Sequence, residues 1–213
     1  MPDGLPAYLD ALLGGRRVEC MAIVERALAA NARLRDVYLG LFQPALYSVG
    51  DLWERNRVTV ATEHLATSIV ETQMSLLEAG LFDAPHKNAT AVVACSANEH
   101  HQIGGRMIAD AFEWNGWHAD FLGANTPEDA LLAYLADRTP NVVALSLSVA
   151  FNIDRLLHTV EAIRIRFPSL PILVGGQAFR WGRCAAVEAV PGVTVLAGLD
   201  EFERRLPEWE PHG

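Results

Sequence analysis

Two periods of hydrophobic spacing divide the chain. Up to about residue 81 the apolar positions recur every three or four residues, the stripe of an amphipathic helix. Pro6 to Leu13 predicts a short helix closed by Gly14–Gly15. Arg17 to Asn31 follows, with Val18, Met21, Val24, Ala27 and Leu28 as its apolar stripe. Leu34 to about Arg55 continues with Val37, Leu41, Ala45, Val49 and Leu52, and Pro44 predicts a kink within it. Val58 to Leu81 shows Ala61, Leu65, Ile69, Met74 and Leu77 and ends at Gly80. These helices, joined by short turns, predict a small four-helix bundle.

Beyond the polar connector Asp83–Asn88 the texture changes. Short apolar runs read as buried strands at Ala89–Cys95, His118–Leu122, Asn141–Leu147, Leu170–Val174 and Val193–Ala197. Between them Ile103–Trp114, Pro127–Ala136, Ile153–Phe167 and Phe179–Ala189 read as helices. Alternation of this kind predicts an α/β domain: a doubly wound, Rossmann-like parallel sheet of five strands, with ligand chemistry at the strands' carboxyl ends. The expected domains are 1–85, a helical bundle, and 86–213, the Rossmann-like unit.

Composition narrows the function. The chain has 213 residues, 17 basic against 26 acidic, for a formal net charge of −9. That balance argues against nucleic acid as a direct partner, since phosphates call for a concentrated basic surface. No apolar stretch approaches the ~20 residues that span a bilayer, and the first residues do not read as a signal peptide. Cys20, Cys95 and Cys184 lie far apart with no CxxC spacing, suggesting neither a zinc site nor a disulfide framework. A cytoplasmic protein without membrane association is the expectation.

The loops after the predicted strands hold the candidate chemistry. Strand one leads into Ser96-Ala97-Asn98-Glu99-His100-His101-Gln102-Ile103-Gly104-Gly105. Neither GxGxxG nor GxxxxGK[ST] occurs there, so dinucleotide and Walker-type phosphate binding lack their backbone geometry. Instead a carboxylate, Glu99, stands two residues before an imidazole, His101. A neighbouring acid that fixes the tautomer of a histidine is a natural metal-ligand arrangement. Gly104 lets a bulky planar ligand approach the backbone. Strand three ends in Ser146-Leu147-Ser148 and strand four in Gly175–Gly176, a bare pair open to a large ligand's tail. Each loop alone reads equally as an ordinary strand-end turn; their joint order on one face is what singles them out.

At these residues the chain resembles the cobalamin-binding family of methionine synthase, corrinoid methyl carriers and B12-dependent photoreceptors. The family pattern is D-x-H-x-x-G, then S-x-L, then G-G; here it stands as Glu99 to Gly104, Ser146 to Ser148, and Gly175–Gly176. The resemblance implies that His101 is the lower axial ligand to cobalt, displacing the dimethylbenzimidazole base. The nucleotide tail would then run into the sheet past Ser146 and Gly175–Gly176. Two positions depart from the pattern. Glu99 replaces Asp, orienting the imidazole with a longer and more flexible arm, and Ser148 replaces Leu, making the tail pocket more polar.

The helical region, which matches the family's cap, separates the subfamilies. Trp53 and Glu63–His64 form W-x9-E-H, with Trp53 expected at the end of one helix and Glu63 a turn into the next. This is similar to the adenosylcobalamin-binding module of light-responsive repressors of carotenoid synthesis, in which the Trp and Glu contact the adenosyl group. On the residues alone, Trp53 in the bundle core and Glu63–His64 on a solvated helix edge is the competing reading. Some of those repressors carry a cobalt-ligating histidine directly after the Trp, where this chain has Glu54; His64 is then the nearest light-state candidate. Some stand-alone relatives seat a second tetrapyrrole, a bilin, but no residues here single out its place. Trp114, Trp117, Phe179 and Trp181 read as helix–sheet packing.

The expectation is therefore a B12-dependent photoreceptor, not an enzyme, that signals through light-triggered loss of the adenosyl group. The 213 residues leave no length for the repressors' DNA-binding domain. Output is thus expected through a downstream protein partner, and the cap is a plausible homodimer surface. The alternative is a corrinoid carrier subunit of a methyltransferase, in which His101 keeps its role. A flavodoxin-like regulatory domain without cobalamin is third, because strand one does not end in an acidic cluster suited to a phosphoacceptor.

Overall fold

A computed structural model of the chain describes residues 4–179 and 185–211. The chain folds as two compact units, Met1–Leu81 and Phe82–Gly213.

The first unit is helical. Helices α1 (Leu5–Leu13), α2 (Arg17–Ala29), α3 (Leu34–Val37), α4 (Gln43–Glu54) and α5 (Val60–Leu77) make it up. Its core gathers Tyr8, Leu12, Ile23, Val24, Leu41, Phe42, Ile69 and Met74, all buried. The Phe42 ring lies 5.9 Å from Tyr8 and 5.3 Å from Tyr38. The buried Tyr8 hydroxyl donates to the Gln73 side-chain oxygen within that core.

Around Pro44, where a kink is expected, the chain leaves α-helical geometry. Helices α3 and α4 are joined through a π-helical turn, Tyr38–Phe42. The Gln43 N–H reaches back five residues to the Tyr38 carbonyl, and Pro44 falls in the first positions of α4. A proline there forfeits no needed N–H, and the wider turn accommodates its ring. The stripe of α2 also differs from expectation. Its buried face is Cys20, Ile23 and Val24, whereas Val18 is 85% exposed. Val18 lies on the first turn, rotated roughly 200° from Cys20 at 3.6 residues per turn, so it points away from the core.

The second unit is a parallel sheet. Strands β1 (Thr90–Cys95), β2 (His118–Phe121), β3 (Val142–Ser146), β4 (Ile172–Gly175) and β5 (Val193–Val195) lie in the order β2-β1-β3-β4-β5. Every neighbouring pair is parallel. Helices α6 (Ile103–Trp114), α7 (Glu128–Arg138), α8 (Ile153–Arg166), α9 (Ala185–Glu188) and α10 (Leu199–Arg205) flank it. Ala91–Cys95 and Val142–Ser146 are buried at every position, as expected of central strands covered on both faces. Leu131, Leu135, Leu156, Val160, Ile163 and Val187 pack α7, α8 and α9 onto one side. Phe112 of α6 meets Phe202 of α10 edge-on at 4.7 Å and Trp117 at 5.2 Å. Chain order reverses between β1 and β3, which opens the crevice where ligands bind such sheets.

The doubly wound sheet and helical N-terminal unit agree with the expected fold class. Helix α10 was not anticipated, because Leu199 and Phe202 are its only buried anchors and Asp200, Glu201, Glu203, Arg204 and Arg205 mask the period. The predicted helix Phe179–Ala189 is in part a 3-10 turn, Gln177–Phe179, and in part α9; residues 180–184, including Trp181 and Cys184, lie outside the described residues. Among the described residues no helix is long and apolar enough to cross a membrane.

Candidate functional site

Parallel pairing brings the ends of β1, β3 and β4 into one row. Cys95 is in register with Ser146, and Ser146 with Gly175. Beyond Cys95 the chain leaves the sheet and turns through Asn98, whose φ of 67° lies in the left-handed region that asparagine tolerates. It then enters α6 after Gln102, so Glu99 and His101 stand on the loop between strand end and helix start.

Glu99 is fully buried, while the His101 side chain is 57% exposed. The carboxylate is surrounded by N–H donors. Oε1 accepts from the His101 backbone N–H at 2.8 Å and lies 2.6 Å from His101 Nδ1. Oε2 accepts from the backbone N–H groups of Ser148 at 2.7 Å and Val149 at 3.0 Å. Burial alone would raise the pKa of this carboxyl. The His101 ring and the three backbone donors outweigh it and hold Glu99 at about 2, ionised at neutral pH. An ionised partner at Nδ1 selects the tautomer protonated there and leaves Nε2 as the ring nitrogen a metal would take. The longer arm of glutamate is therefore pinned at both oxygens.

The other predicted residues of this unit collect around the same strand ends. Ser146 is buried, and its hydroxyl has no hydrogen-bond partner among the described residues; the same holds for Ser96. A Cβ at Gly104 would stand 3.4 Å from Ser146 Oγ, and one at Gly105 would meet Cys95 Sγ and Phe121 at 3.1 Å. Gly176 has a φ of +117°, and a Cβ there would collide with the Leu147 backbone. Ser148 contributes its backbone N–H to Glu99. Burial first, and the Glu99 charge second, push the Cys95 thiol up to about 12, so it stays neutral beside the site.

In the helical unit, Trp53 sits in the last turn of α4 and is 46% exposed, which removes it from the bundle core. Glu63 lies in the first turn of α5, half-buried, with His64 Nδ1 2.6 Å from Oε2 and the Thr67 hydroxyl donating to Oε1 at 3.0 Å. Of the aromatics expected in packing roles, Trp117 and Phe179 are buried, and Trp114 Nε1 donates to Glu203.

Sequence reasoning missed the stitching between the loops. Asn98 N–H donates to Asn125 Oδ1, Asn125 N–H to the Glu99 carbonyl, and Asn152 Nδ2 to the Asn98 carbonyl. The available signal was asparagine at successive strand-end loops, since Asn98 and Asn125 both adopt positive φ. Phe151 was missed as well. It lies on the loop after β3 and is 92% exposed, a position no hydrophobic period marks.

A parallel sheet with a carboxylate-held imidazole, buried serine hydroxyls and bare glycines at its switch point defines a domain that seats a large cofactor on its strand ends. The chain belongs to the B12 binding domain family: residues 89–204 match that family, and residues 6–78 match a second family of the same description. It is 31% identical over 185 residues, 85% of its length, to the HTH-type transcriptional repressor CarH of Myxococcus xanthus. It is 33% identical over 125 residues, 58% of its length, to the repressor CarA of the same organism. The chain spans about half the length of these curated relatives, 60% of CarH and 43% of CarA. In fold it is similar to the Methanosarcina barkeri monomethylamine corrinoid protein, with a TM-score of 0.80 and 16% identity over 95% of this chain and 96% of that one. A cobalamin-binding protein of Desulfitobacterium hafniense gives a TM-score of 0.53 at 18% identity, covering 97% and 98% of the two chains.

The cofactor is cobalamin, and the residues present fit it. Among the described residues no three His, Cys, Asp or Glu side chains gather to hold a metal by themselves. A metal already enclosed in a macrocycle asks the protein for one axial donor, which the exposed His101 ring can supply. The unsatisfied hydroxyls of Ser96 and Ser146 offer polar partners where a nucleotide tail would enter, and Gly104 leaves the Ser146 hydroxyl uncovered.

Proposed function

We propose that the chain is a B12-dependent light sensor. It binds adenosylcobalamin in the base-off form, with His101 Nε2 as the lower cobalt ligand, and signals when light removes the adenosyl group. Bound adenosylcobalamin supplies a cobalt–carbon bond that visible light cleaves. Glu99 keeps the His101 proton on Nδ1 and the lone pair at Nε2. Ser146, Gly104, Gly175 and Gly176 accept the nucleotide tail, and Ser148 helps fix the loop beside it. Trp53, Glu63 and His64 form the surface that senses the upper ligand, with the indole covering an apolar face and the carboxylate accepting from ribose hydroxyls.

The observation that carries the sensor reading is Trp53. A large indole left 46% exposed at the end of α4, with the half-buried Glu63 in the next helix's first turn, lies outside the buried core of the bundle. The same W-x9-E-H pattern marks the adenosyl-binding modules that the chain resembles, and similarity to CarH runs through 85% of the chain. The formal charge of −9 favours a protein partner, or a second copy of the chain, over nucleic acid as what reads the change. The second reading, a corrinoid carrier, draws on the fold likeness to the monomethylamine corrinoid protein.

The test mixes purified protein with adenosylcobalamin in the dark and then illuminates it while recording absorbance and size-exclusion profiles. A sensor gives an imidazole-ligated, base-off spectrum in the dark and an irreversible change with light. His101→Ala loses the imidazole signature while its circular dichroism stays native. Tight methylcobalamin binding with no conformational response to light would move the assignment to a carrier, and no corrinoid binding at all would sink both.

A further inference from the structure

Helices α3 and α4 form one continuous helical segment, interrupted by the π-helical turn Tyr38–Phe42, and the interruption sets which way α4 faces. A π turn holds one residue more than an α turn. Each residue of an α-helix adds roughly 100° of rotation, so the extra residue turns everything beyond it by the same angle. With the π turn in place Ala45 and Val49 are buried, and Trp53 continues their i, i+4, i+8 row to the end of α4. Were the turn α-helical, Pro44, Ser48 and Leu52 would take the places of Ala45, Val49 and Trp53. Two features oppose that exchange. An α turn would press the Pro44 ring against the Gly40 carbonyl and leave that carbonyl without its N–H partner. It would also bring Ser48, whose hydroxyl donates to the Pro44 carbonyl at 2.8 Å, toward the core in place of Val49. On the other side of the turn, the buried Phe42 packs against Tyr8 and Tyr38, which anchors it to the bundle.

We propose that Pro44 is a positioning residue for the surface that senses the upper ligand: by holding the π turn it sets the rotation of α4, and with it the direction of the Trp53 indole at the far end of that helix. What Trp53 does there rests on the light-sensor reading, whereas the rotation of α4 is a property of the polypeptide. Pro44 acts through backbone geometry, since its ring and its missing N–H exclude the α-helical alternative at the turn. A helix is stiff along its axis, so a choice made in its first turn is carried to its last. Rotation by one residue would put Leu52 where the indole now stands. An aliphatic side chain there offers a smaller apolar face, and the distinction between an adenosyl group and a small upper ligand would weaken with it.

The test labels the cofactor-free full chain with 5-fluorotryptophan and follows the fluorine resonance of Trp53, assigned among the five tryptophans by Trp53→Phe. Pro44→Ala restores the N–H that an α turn needs, and should shift or split this resonance while the others stay in place. The same variant should bind adenosylcobalamin severalfold more weakly and hydroxocobalamin as the wild type does, with native circular dichroism. Deleting Gly40 in the Pro44→Ala protein removes the extra residue itself, so the segment becomes a plain α-helix with α4 in its present rotation. That variant should return the resonance to its wild-type position and restore the preference for adenosylcobalamin. A merely stabilising proline predicts a different pattern. Pro44→Ala would then lower the urea midpoint and leave both the resonance and the preference unchanged, a result that would overturn the assignment. Failure of the Gly40 deletion to restore the resonance would overturn it as well, because rotation would then not be what Pro44 controls. Equal binding of the two corrinoids by the wild type would instead count against the light-sensor reading, and the resonances of the cofactor-free variants would still decide the rotation of α4.

Discussion

Gly176 shows how much of the site is a matter of single backbone positions. Its φ of +117° lies where side chains bring strain, and the Leu147 backbone fills the place a Cβ would take. The Gly175 carbonyl accepts from Leu147 N–H at 2.9 Å, and the Leu147 carbonyl accepts from Ala178 N–H at 3.2 Å, so the end of β3 and the turn after β4 are locked together. Gly176→Ala should therefore lower stability by about 2 kcal/mol or more and weaken corrinoid binding. Gly80→Ala is the control, since a Cβ there meets nothing within 4 Å. Urea midpoints measure both; equal midpoints would mean the Gly176 turn relaxes at no cost. The Glu99–His101 pair could be read from its spacing, because a carboxylate two residues from an imidazole on a short loop has few other places to go. That Glu99 also reaches Ser148 and Val149 could not, because the partners are backbone groups and carry no residue signature.

At the scale of elements, legibility followed how strongly one face of each element is buried. Ile103–Trp114 emerged with the same bounds in sequence and structure because its buried residues, from Ile103 to Phe112, form a continuous stripe. The strands were found within one or two residues, since β1 and β3 are buried at almost every position and leave an unbroken apolar run. What a period cannot express was lost: the π-helical turn at Tyr38–Phe42, which answers a proline two residues on, and the exposed Val18 and Leu65 that broke the expected stripes. On the proposed sensor reading the start of α5 matters most for the upper ligand, because Glu63 sits in its first turn. Thr59 caps that turn, its hydroxyl accepting from Thr62 N–H at 3.2 Å. Thr59→Ala should cost about 1 kcal/mol of stability. Exchange at Thr62 and Glu63 should rise with it, and adenosylcobalamin affinity should fall. Loss of stability without any loss of affinity would separate this turn from the ligand.

For the whole molecule, the question is whether the helical unit and the sheet unit answer to the same ligand. A ligand that binds only folded protein stabilises it by about 2.7 kcal/mol at a hundred times its dissociation constant, and protection from exchange appears wherever its contacts tie the chain down. A carrier-like protein that holds cobalamin mainly by its lower face should show that protection in 82–213, around His101, Ser146 and Gly175. A sensor of the upper ligand should show it in α4 and α5 as well, with adenosylcobalamin and not with hydroxocobalamin, and light should erase it there while sparing the sheet unit. Trp53→Ala then becomes decisive, because the indole is 46% exposed and lies outside the buried core. The variant should keep wild-type stability without ligand, weaken adenosylcobalamin about tenfold while leaving hydroxocobalamin unchanged, and abolish the extra protection in α4 and α5. Equal weakening of both corrinoids would make Trp53 a general contact and remove the physical basis for light sensing, since only a group that distinguishes the two ligands can turn the loss of one into a change of state.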